Sequence, residues 1–148
     1  MVMKATFRKN QNFNPKMLKE GVVRVGFFEG SRYDDDTYVA QVARWNEFGI
    51  GVPARPFMRP AVFERKQEFN ALLRSEYKKA LKDNKNTMNV LKKIGEMAVS
   101  AIQTQIWSGH YIPNSPATIK RKGRNKPLVD TELMLNSVSY QVQEVSSK

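Results

Sequence analysis

Hydrophobic and polar positions alternate along parts of the chain in patterns that predict strands. Residues 22–28 are mostly β-branched or aromatic and lie between glycines, which is typical of a strand. Val138, Tyr140 and Val142 alternate with polar residues, which predicts a second strand with one buried face. A short edge strand is also predicted around Lys4–Arg8.

Apolar residues that recur at helical spacing predict two long helices joined by a short polar loop. The first is expected at about 60–81, with Pro60 in its first turn, where a missing N–H is tolerated. The second is expected at about 87–107, with Thr87 as its N-cap.

Three shorter helices are expected around this pair. One covers about 38–46, is capped by Asp36 or Thr37, and stops at Gly49. A second, at 117–121, follows Ser115 as its N-cap and Pro116 as a first-turn proline. A third, at 132–136, is capped by Asp130 and Thr131.

Together these elements predict one α+β domain over residues 1–148. The last strand should pair with the strand at 22–28 in a small antiparallel sheet, and the two long helices should form an antiparallel pair that covers one sheet face. The segments Phe48–Arg59 and Ile112–Pro127 are rich in proline and should be extended loops. Residues 1–20 are interpreted as an N-terminal extension and residues 21–145 as the core.

The net charge of the chain indicates which classes of partner it favours. Its 25 Lys and Arg residues exceed its 14 Asp and Glu residues, for a net charge of +11, which favours contact with acidic surfaces such as nucleic acid. Two local patches stand out: the acidic run Asp34–Asp36, and a basic segment made of Lys120, Arg121, Lys122, Arg124 and Lys126. Either both are solvated surface, or they pair between neighbouring copies of the chain.

The candidate chemistry is sparse. The chain has no cysteine and one histidine, His110, which excludes thiolate sites and argues against a His-based metal site. No phosphate-binding loop, dinucleotide fingerprint or nucleophile motif occurs, and no apolar run is long enough to span a membrane. We therefore expect no enzymatic activity, cofactor, metal, membrane partner or small-molecule substrate.

Aromatic residues and arginines cluster in the proline-rich segments. The candidate interface residues are Trp45, Phe48, Arg55, Phe57, Arg59, Tyr111 and Ile112. Such residues form energetic centres of protein interfaces, but they also stack on bases, so protein assembly and a basic nucleic-acid-binding module both stay open. In the alternative interpretation, Trp45 and Phe57 belong to the core, and Arg55 and Arg59 neutralise Glu47 within one subunit.

Three stretches of sequence carry a resemblance to a known family. They are Val-Ala-Arg-Trp-Asn-Glu-Phe-Gly at 42–49 with Val-Pro-Ala-Arg-Pro-Phe-Met-Arg-Pro-Ala at 52–61, Trp-Ser-Gly at 107–109 with Pro-Asn-Ser-Pro-Ala-Thr-Ile at 113–119, and Lys-Pro-Leu-Val-Asp-Thr-Glu-Leu at 126–133 with Leu-Asn-Ser-Val at 135–138. In this order they resemble the small tail-completion or neck proteins of long-tailed bacteriophages and prophages, which are also described as minor tail components. The resemblance covers residues 22–142.

This resemblance implies an α+β fold and a structural role without catalysis. It implies a homo-oligomeric ring in the virion neck, assembled in the cytoplasm of the bacterial host, that joins the connector or head-closure protein to the tail terminator or tail tube protein. The nearest alternative within the same neighbourhood is the tail terminator itself. The basic segment from Lys120 to Lys126 would then face genomic DNA in the lumen of the ring.

Overall fold

The computed structural model describes residues 2–5, 19–83, 85–123, 128 and 132–145. Within these residues the chain is mixed helix and strand, as the sequence predicts. In chain order the elements are β1 (Val2–Ala5), β2 (Gly21–Phe27), α1 (Val39–Phe48), α2 (Met58–Phe63), α3 (Lys66–Lys82), α4 (Met88–Ser108), α5 (Pro116–Lys122), α6 (Leu133–Ser137) and β3 (Val138–Glu144).

The strands form a small antiparallel sheet with β2 in the middle. Its main pair joins β2 to β3 over seven residues, with Val25 opposite Tyr140, which confirms the predicted pairing of the last strand. The short strand β1 pairs with the other side of β2. It covers 2–5, whereas 4–8 was expected, and residues 6–8 lie outside the described part of the chain.

Helix α4 lies at the centre of the core. It contacts both β2 and β3, while α2 and α3 make their main contacts with α4. Its buried residues recur every three to four positions, and they are Val90, Leu91, Ile94, Gly95, Ala98, Ala101, Ile102 and Ile106. Val23 and Val25 of β2 are buried in the same cluster. Side-chain burial on one stripe of α4 therefore holds the sheet against the helices.

The helix expected from Pro60 to about Leu81 is two helices. Helix α2 begins earlier, at Met58, and the chain turns at Glu64 and Arg65 before α3 starts. The early start has a clear cause, since Glu47 accepts hydrogen bonds from the N–H groups at the beginning of α2. After the turn Phe69 is buried, whereas Phe63 before it is exposed.

Only some of the predicted helix caps form. Ser115 caps α5 by accepting a hydrogen bond from the Thr118 N–H, with Pro116 in the first turn, as expected. Neither Asp36 nor Thr37 caps α1, because the helix starts one residue after Tyr38 and Asp36 has a left-handed backbone with φ of 66°.

The N-terminus of α4 and the region before α6 also differ from expectation. The Thr87 hydroxyl bonds to the backbone of Lys19 instead of to its own helix, and the Asn86 side chain accepts the Met88 N–H in its place. The predicted caps Asp130 and Thr131 lie outside the described residues.

Gly95 marks a very close approach between α4 and β3. A Cβ atom at this position would lie 2.3, 2.5 and 2.9 Å from three ring atoms of Tyr140. These distances are far below van der Waals contact, so the Tyr140 ring occupies the space that any larger residue would need. The position therefore requires glycine despite its cost inside a helix.

We predict that Gly95→Ala destabilises the fold by about 1–2 kcal/mol. Because the added Cβ would lie only 2.3 Å from a Tyr140 ring atom, overpacking should cost about 2–3 kcal/mol, the upper part of its usual range. The gain of about 1 kcal/mol that Ala brings to a helix interior then leaves about 1–2 kcal/mol of destabilisation. Urea unfolding followed by circular dichroism measures the change. In a Tyr140→Ala background the same substitution should become neutral or stabilising, and equal destabilisation in both backgrounds would contradict this account of Gly95.

Candidate functional site

A buried glutamate organises the segment between α1 and α2. The Glu47 side chain is only 4% exposed. Its Oε2 accepts hydrogen bonds from the N–H of Phe57 at 2.7 Å and of Met58 at 2.9 Å, and its Oε1 accepts one from the N–H of Arg59 at 3.1 Å. The carboxylate therefore satisfies three N–H groups at the start of α2, where its charge also complements the helix dipole.

The protonation of Glu47 follows from these bonds. Burial by itself would raise the pKa of the Glu47 carboxyl, but the hydrogen bonds from Met58, Phe57 and Arg59 outweigh it, so the pKa is lowered from 4.5. Glu47 is thus a carboxylate at neutral pH. Only the charged form can accept hydrogen bonds from all the backbone N–H groups and the arginine that donate to it.

Arg59 completes this arrangement from the solvent side. Its Nε lies 2.9 Å from Glu47 Oε1 and its guanidinium donates to the Glu47 carbonyl oxygen at 3.1 Å. The guanidinium carbon also lies 5.2 Å from the centre of the Phe48 ring. Arg59 thus neutralises Glu47 within one subunit, and its side chain remains 61% exposed. The alternative interpretation gave Arg55 the same role, but the hydrogen bonds of the Arg55 guanidinium go to other groups.

Arg55 connects two loop segments, the one before α2 and the one after α4. It is buried, and its guanidinium donates to the carbonyl oxygens of Ile112 at 2.9 Å and Pro113 at 3.2 Å and to Asn46 Oδ1 at 3.3 Å. The backbone N–H of Arg55 donates to the Asn46 carbonyl oxygen at 2.7 Å. Both loops are therefore fixed to α1 and to each other by one residue.

Phe57 is not a surface residue, which corrects its selection as an interface anchor. It has no exposed surface and packs edge-to-face against Phe27, with ring centroids 6.0 Å apart. The hydrogen bond from its N–H to Glu47 turns it inward, where it joins the core cluster. Arg55 is likewise buried, and Trp45 is half-buried.

Tyr111 and Ile112 have different environments. The Tyr111 hydroxyl donates to the Gln105 carbonyl oxygen at 2.5 Å, in the last turn of α4. Burial raises the pKa of Tyr111 to about 12, which leaves the hydroxyl protonated at neutral pH. Ile112 is 55% exposed although its carbonyl oxygen is held by Arg55.

Four exposed apolar side chains lie on the two connected loops and at their edge. They are Phe48, Ile50, Val52 and Ile112, and we refer to them as the paired-loop surface. Phe48 is 60% exposed and lines a cavity of about 480 Å³ together with Arg59. Val52 and Pro113 line another cavity, of about 740 Å³. In this set the Ile50 N–H donates to the Trp45 carbonyl oxygen and the Ile112 carbonyl oxygen accepts from Arg55, while the four apolar side chains are exposed.

Two members of the acidic patch and one member of the basic patch lie near each other within one chain. Asp34, Asp35 and Arg121 line the cavity of about 740 Å³. Hydrogen bonds from Thr37 lower the pKa of Asp35 below 3.8, and the charge of Arg121 lowers it further. Arg121 is thus near enough to act on Asp35 inside one chain, and pairing of the two patches between copies stays a prediction. Lys120 and Arg121 are exposed, whereas the Lys122 side chain, Arg124 and Lys126 lie outside the described residues.

Comparison with known proteins does not identify a relative, since no protein family, curated protein sequence or solved structure matches the chain. Among the described residues, no helix has the combined length and hydropathy needed to cross a bilayer. In the same part of the chain, no three potential metal ligands are grouped closely enough to hold an ion.

Sequence reasoning did not single out Asn46 and Glu47 as the residues that position the loops. A usable signal was present, because Asn46 lies on the helical stripe of Val39, Val42 and Ala43, where an apolar residue would be expected. A polar residue on a buried stripe needs a partner, and here the partner is Arg55.

We predict that Glu47→Gln lowers the free energy of unfolding by about 2–3 kcal/mol at pH 7. Hydrogen bonds to a charged group each contribute about 1.5–3 kcal/mol, and one amide oxygen cannot replace both carboxylate oxygens. The pKa of Glu47 is lower in the folded chain than its value of 4.5 elsewhere, so its stabilisation is present above pH 4.5 and is lost as the pH falls through the folded-state pKa.

Urea unfolding of the wild-type protein and of Glu47→Gln at several pH values measures this effect. The stability difference should shrink below pH 4.5, the ordinary pKa of the group. Glu64→Gln serves as the control, because Glu64 is exposed and its replacement should change stability little. A difference that stays constant from pH 7 to pH 3 would show that the Glu47 charge is not what holds α2.

Proposed function

We propose that this protein is a structural virion protein of a tailed bacteriophage, which forms a ring at the head–tail junction and joins the connector to the tail. The proposal begins from the motif resemblance at 42–61, 107–119 and 126–138. In this proposal α3 and α4 form an antiparallel helix pair within each subunit, and the proline-rich loops contact neighbouring subunits.

The observation that carries this proposal is the paired-loop surface. Arg55 holds the carbonyl oxygens of Ile112 and Pro113 under one part of this surface, so that loop should lose little conformational entropy when it docks. Phe48 and Ile112 expose more than half of their surface to water in the single chain. Apolar side chains left exposed by the single chain, on loops held by hydrogen bonds, are typical of a surface that another protein covers.

The roles of the candidate residues divide accordingly. Phe48, Ile50, Val52 and Ile112 would contact the neighbouring subunit or partner. Arg59 would contribute its exposed edge while its Nε remains bound to Glu47. Arg55, Phe57 and Tyr111 would act from inside the subunit, by holding the loops in the docking conformation.

Contact with the genome is a separate part of the proposal. Lys120 and Arg121 would attract phosphates without reading sequence, in keeping with the excess positive charge of the chain. Asp35 partly offsets Arg121, so this attraction would be weak for one subunit and significant only when a ring presents many copies.

We predict that Phe48→Asp and Ile112→Asp prevent head–tail joining while the fold remains intact. Deleting the gene from its phage or prophage should give separate heads and complete tails by electron microscopy, and a plasmid copy of the wild-type gene should restore joined particles. A buried aspartate at an apolar interface costs several kcal/mol, so the two variants should restore fewer than a tenth as many particles.

The matched control is Phe63→Asp, since Phe63 is 77% exposed on α2 and lies outside the paired-loop surface. It should restore joining like the wild type. Full rescue by Phe48→Asp and Ile112→Asp would contradict the proposal. Tails of uncontrolled length in the deletion strain would instead indicate the tail terminator, which is the protein that stops tail growth.

The nucleic-acid alternative has its own signature. A binding module would bind DNA as a monomer, with an affinity that falls steeply with salt and is lost when Lys120 and Arg121 are changed to Gln. Titration of labelled duplex DNA at two salt concentrations distinguishes it from the proposed neck protein, for which a single subunit should bind DNA only weakly.

A further inference from the structure

Strand β3 forms one edge of the sheet. It pairs with β2 on one side, and no strand of the described chain pairs with its other side. Its sequence, Val-Ser-Tyr-Gln-Val-Gln-Glu, carries a single charge, at the last position, and contains no proline or lysine. Exposed edges are normally protected by Lys, Pro, bulges or very short length, and β3 has none of these protections over seven residues.

The direction of the free backbone groups follows from the hydrogen-bond pattern. Val145 donates its N–H to the Glu20 carbonyl oxygen at 2.8 Å, so these two residues form a hydrogen-bonded pair. Because hydrogen-bonded positions alternate in an antiparallel ladder, Ser139, Gln141 and Gln143 point their backbone groups at β2. The residues between them, at 138, 140, 142 and 144, therefore present N–H and C=O groups outward.

A shallow groove lies directly beside this edge. It has a volume of about 360 Å³ and is lined by α4 and by the beginning of β3, with Val99, Gln103 and Tyr140 among its walls. On α4 the lining is a mixture of apolar and polar side chains, so the groove can receive the side chains of a strand added to the edge.

We propose that β3 is a self-association edge, which pairs antiparallel with β3 of a second copy about a two-fold axis at Gln141. This register is the one that overlaps all seven residues of both strands. It would join the two sheets into a continuous one, with both α4 helices on the same face. The proposal is independent of the head–tail function, because its contact is two-fold whereas a ring needs a cyclic contact.

The side chains of β3 complement themselves in this register. Tyr140 would lie opposite Val142 of the second copy, and an aromatic residue opposite a β-branched one is a favourable cross-strand pair. Gln141 would lie opposite its own copy, where two amides can hydrogen-bond. On the outer face these strands carry only Ser139, Gln141 and Gln143, so the pairing places no like charges directly opposite each other.

Charge on the neighbouring strand does not oppose the pairing. Arg24 lies opposite Gln141 within one subunit, so the two Arg24 residues would be separated by three strand spacings. That distance is about 14 Å, which exceeds the Debye length of about 8 Å at physiological ionic strength. The β3 strand itself has no Lys or Arg that would attract an acidic strand of another protein. A second copy of β3 is therefore the better partner for this edge.

We predict that Gln141→Cys forms an intermolecular disulfide under mild oxidation. The natural chain has no cysteine, so the new thiol can only bond to its counterpart in another copy. Gln141 would face its own copy at a non-hydrogen-bonded position, where the Cα atoms are about 4.5 Å apart, close enough for a disulfide. Non-reducing gel electrophoresis should show that most of the protein is dimer.

Gln143→Cys is the matched control. Gln143 is an exposed glutamine on the same face, but in the proposed register it lies opposite Ser139 of the second copy. The two thiols introduced at position 143 would then be about 14 Å apart along the strands, too far for a disulfide. Equal cross-linking of both variants, or none in either, would overturn the proposed register.

Sedimentation of the wild-type protein gives an independent measurement without any substitution. A concentration-dependent monomer–dimer equilibrium is expected, and Gln141→Glu should weaken it at least tenfold by placing two carboxylates opposite each other. Within one subunit that glutamate would face Arg24, so the fold should be retained. A wild-type protein that stays monomeric at millimolar concentration overturns the inference. A cyclic oligomer that does not cross-link through position 141 also overturns it, but that result agrees with the proposed head–tail function.

Discussion

The buried carboxylate of Glu47 is the constraint on which the loop region depends. Three successive N–H groups, from Phe57 to Arg59, donate to it, and the chain must therefore enter α2 in one orientation. This orientation directs the Phe57 ring into the core and leaves Arg59 at the surface. A hydrophobic side chain at position 47 could fill the same volume, but it could not satisfy these donors or align the segment.

Arg55 extends the same principle to the second loop. Its guanidinium donates to the Asn46 amide oxygen in α1 and to the carbonyl oxygens of Ile112 and Pro113 in the loop after α4. These bonds satisfy backbone oxygens of that loop, which has no regular secondary structure to do so. Irregular loops bury polar backbone groups only when such partners exist. Glu47 and Arg55 are buried whereas Phe48 and Ile112 nearby are exposed, so the usual distribution of charged and apolar side chains is reversed in this region.

Features of the fold that depend on residues close together in the sequence could be predicted from the sequence. The alternation in β3, the stripe on α4 and the cap at Ser115 each depend on neighbours within a few positions, and all three form as expected. The failures have a tertiary cause. The sequence leaves Phe57 open between interface anchor and core, because an aromatic side chain suits either place, and its direction is set by Glu47, ten positions earlier. Likewise, no local pattern reveals that Asp35 lies near Arg121, since the fold alone brings them together.

The two surfaces proposed here differ in the symmetry they permit. The paired-loop surface is made of unlike side chains from unlike segments, so it has no reason to complement itself and suits a head-to-tail contact. The β3 edge is a regular backbone with side chains that match under a two-fold rotation, so it suits an isologous contact. A chain that carries one surface of each kind can use both without geometric conflict between their symmetries, because cyclic and two-fold axes combine in closed dihedral assemblies. Two rings joined across two-fold axes are the assembly that follows if both contacts form at once.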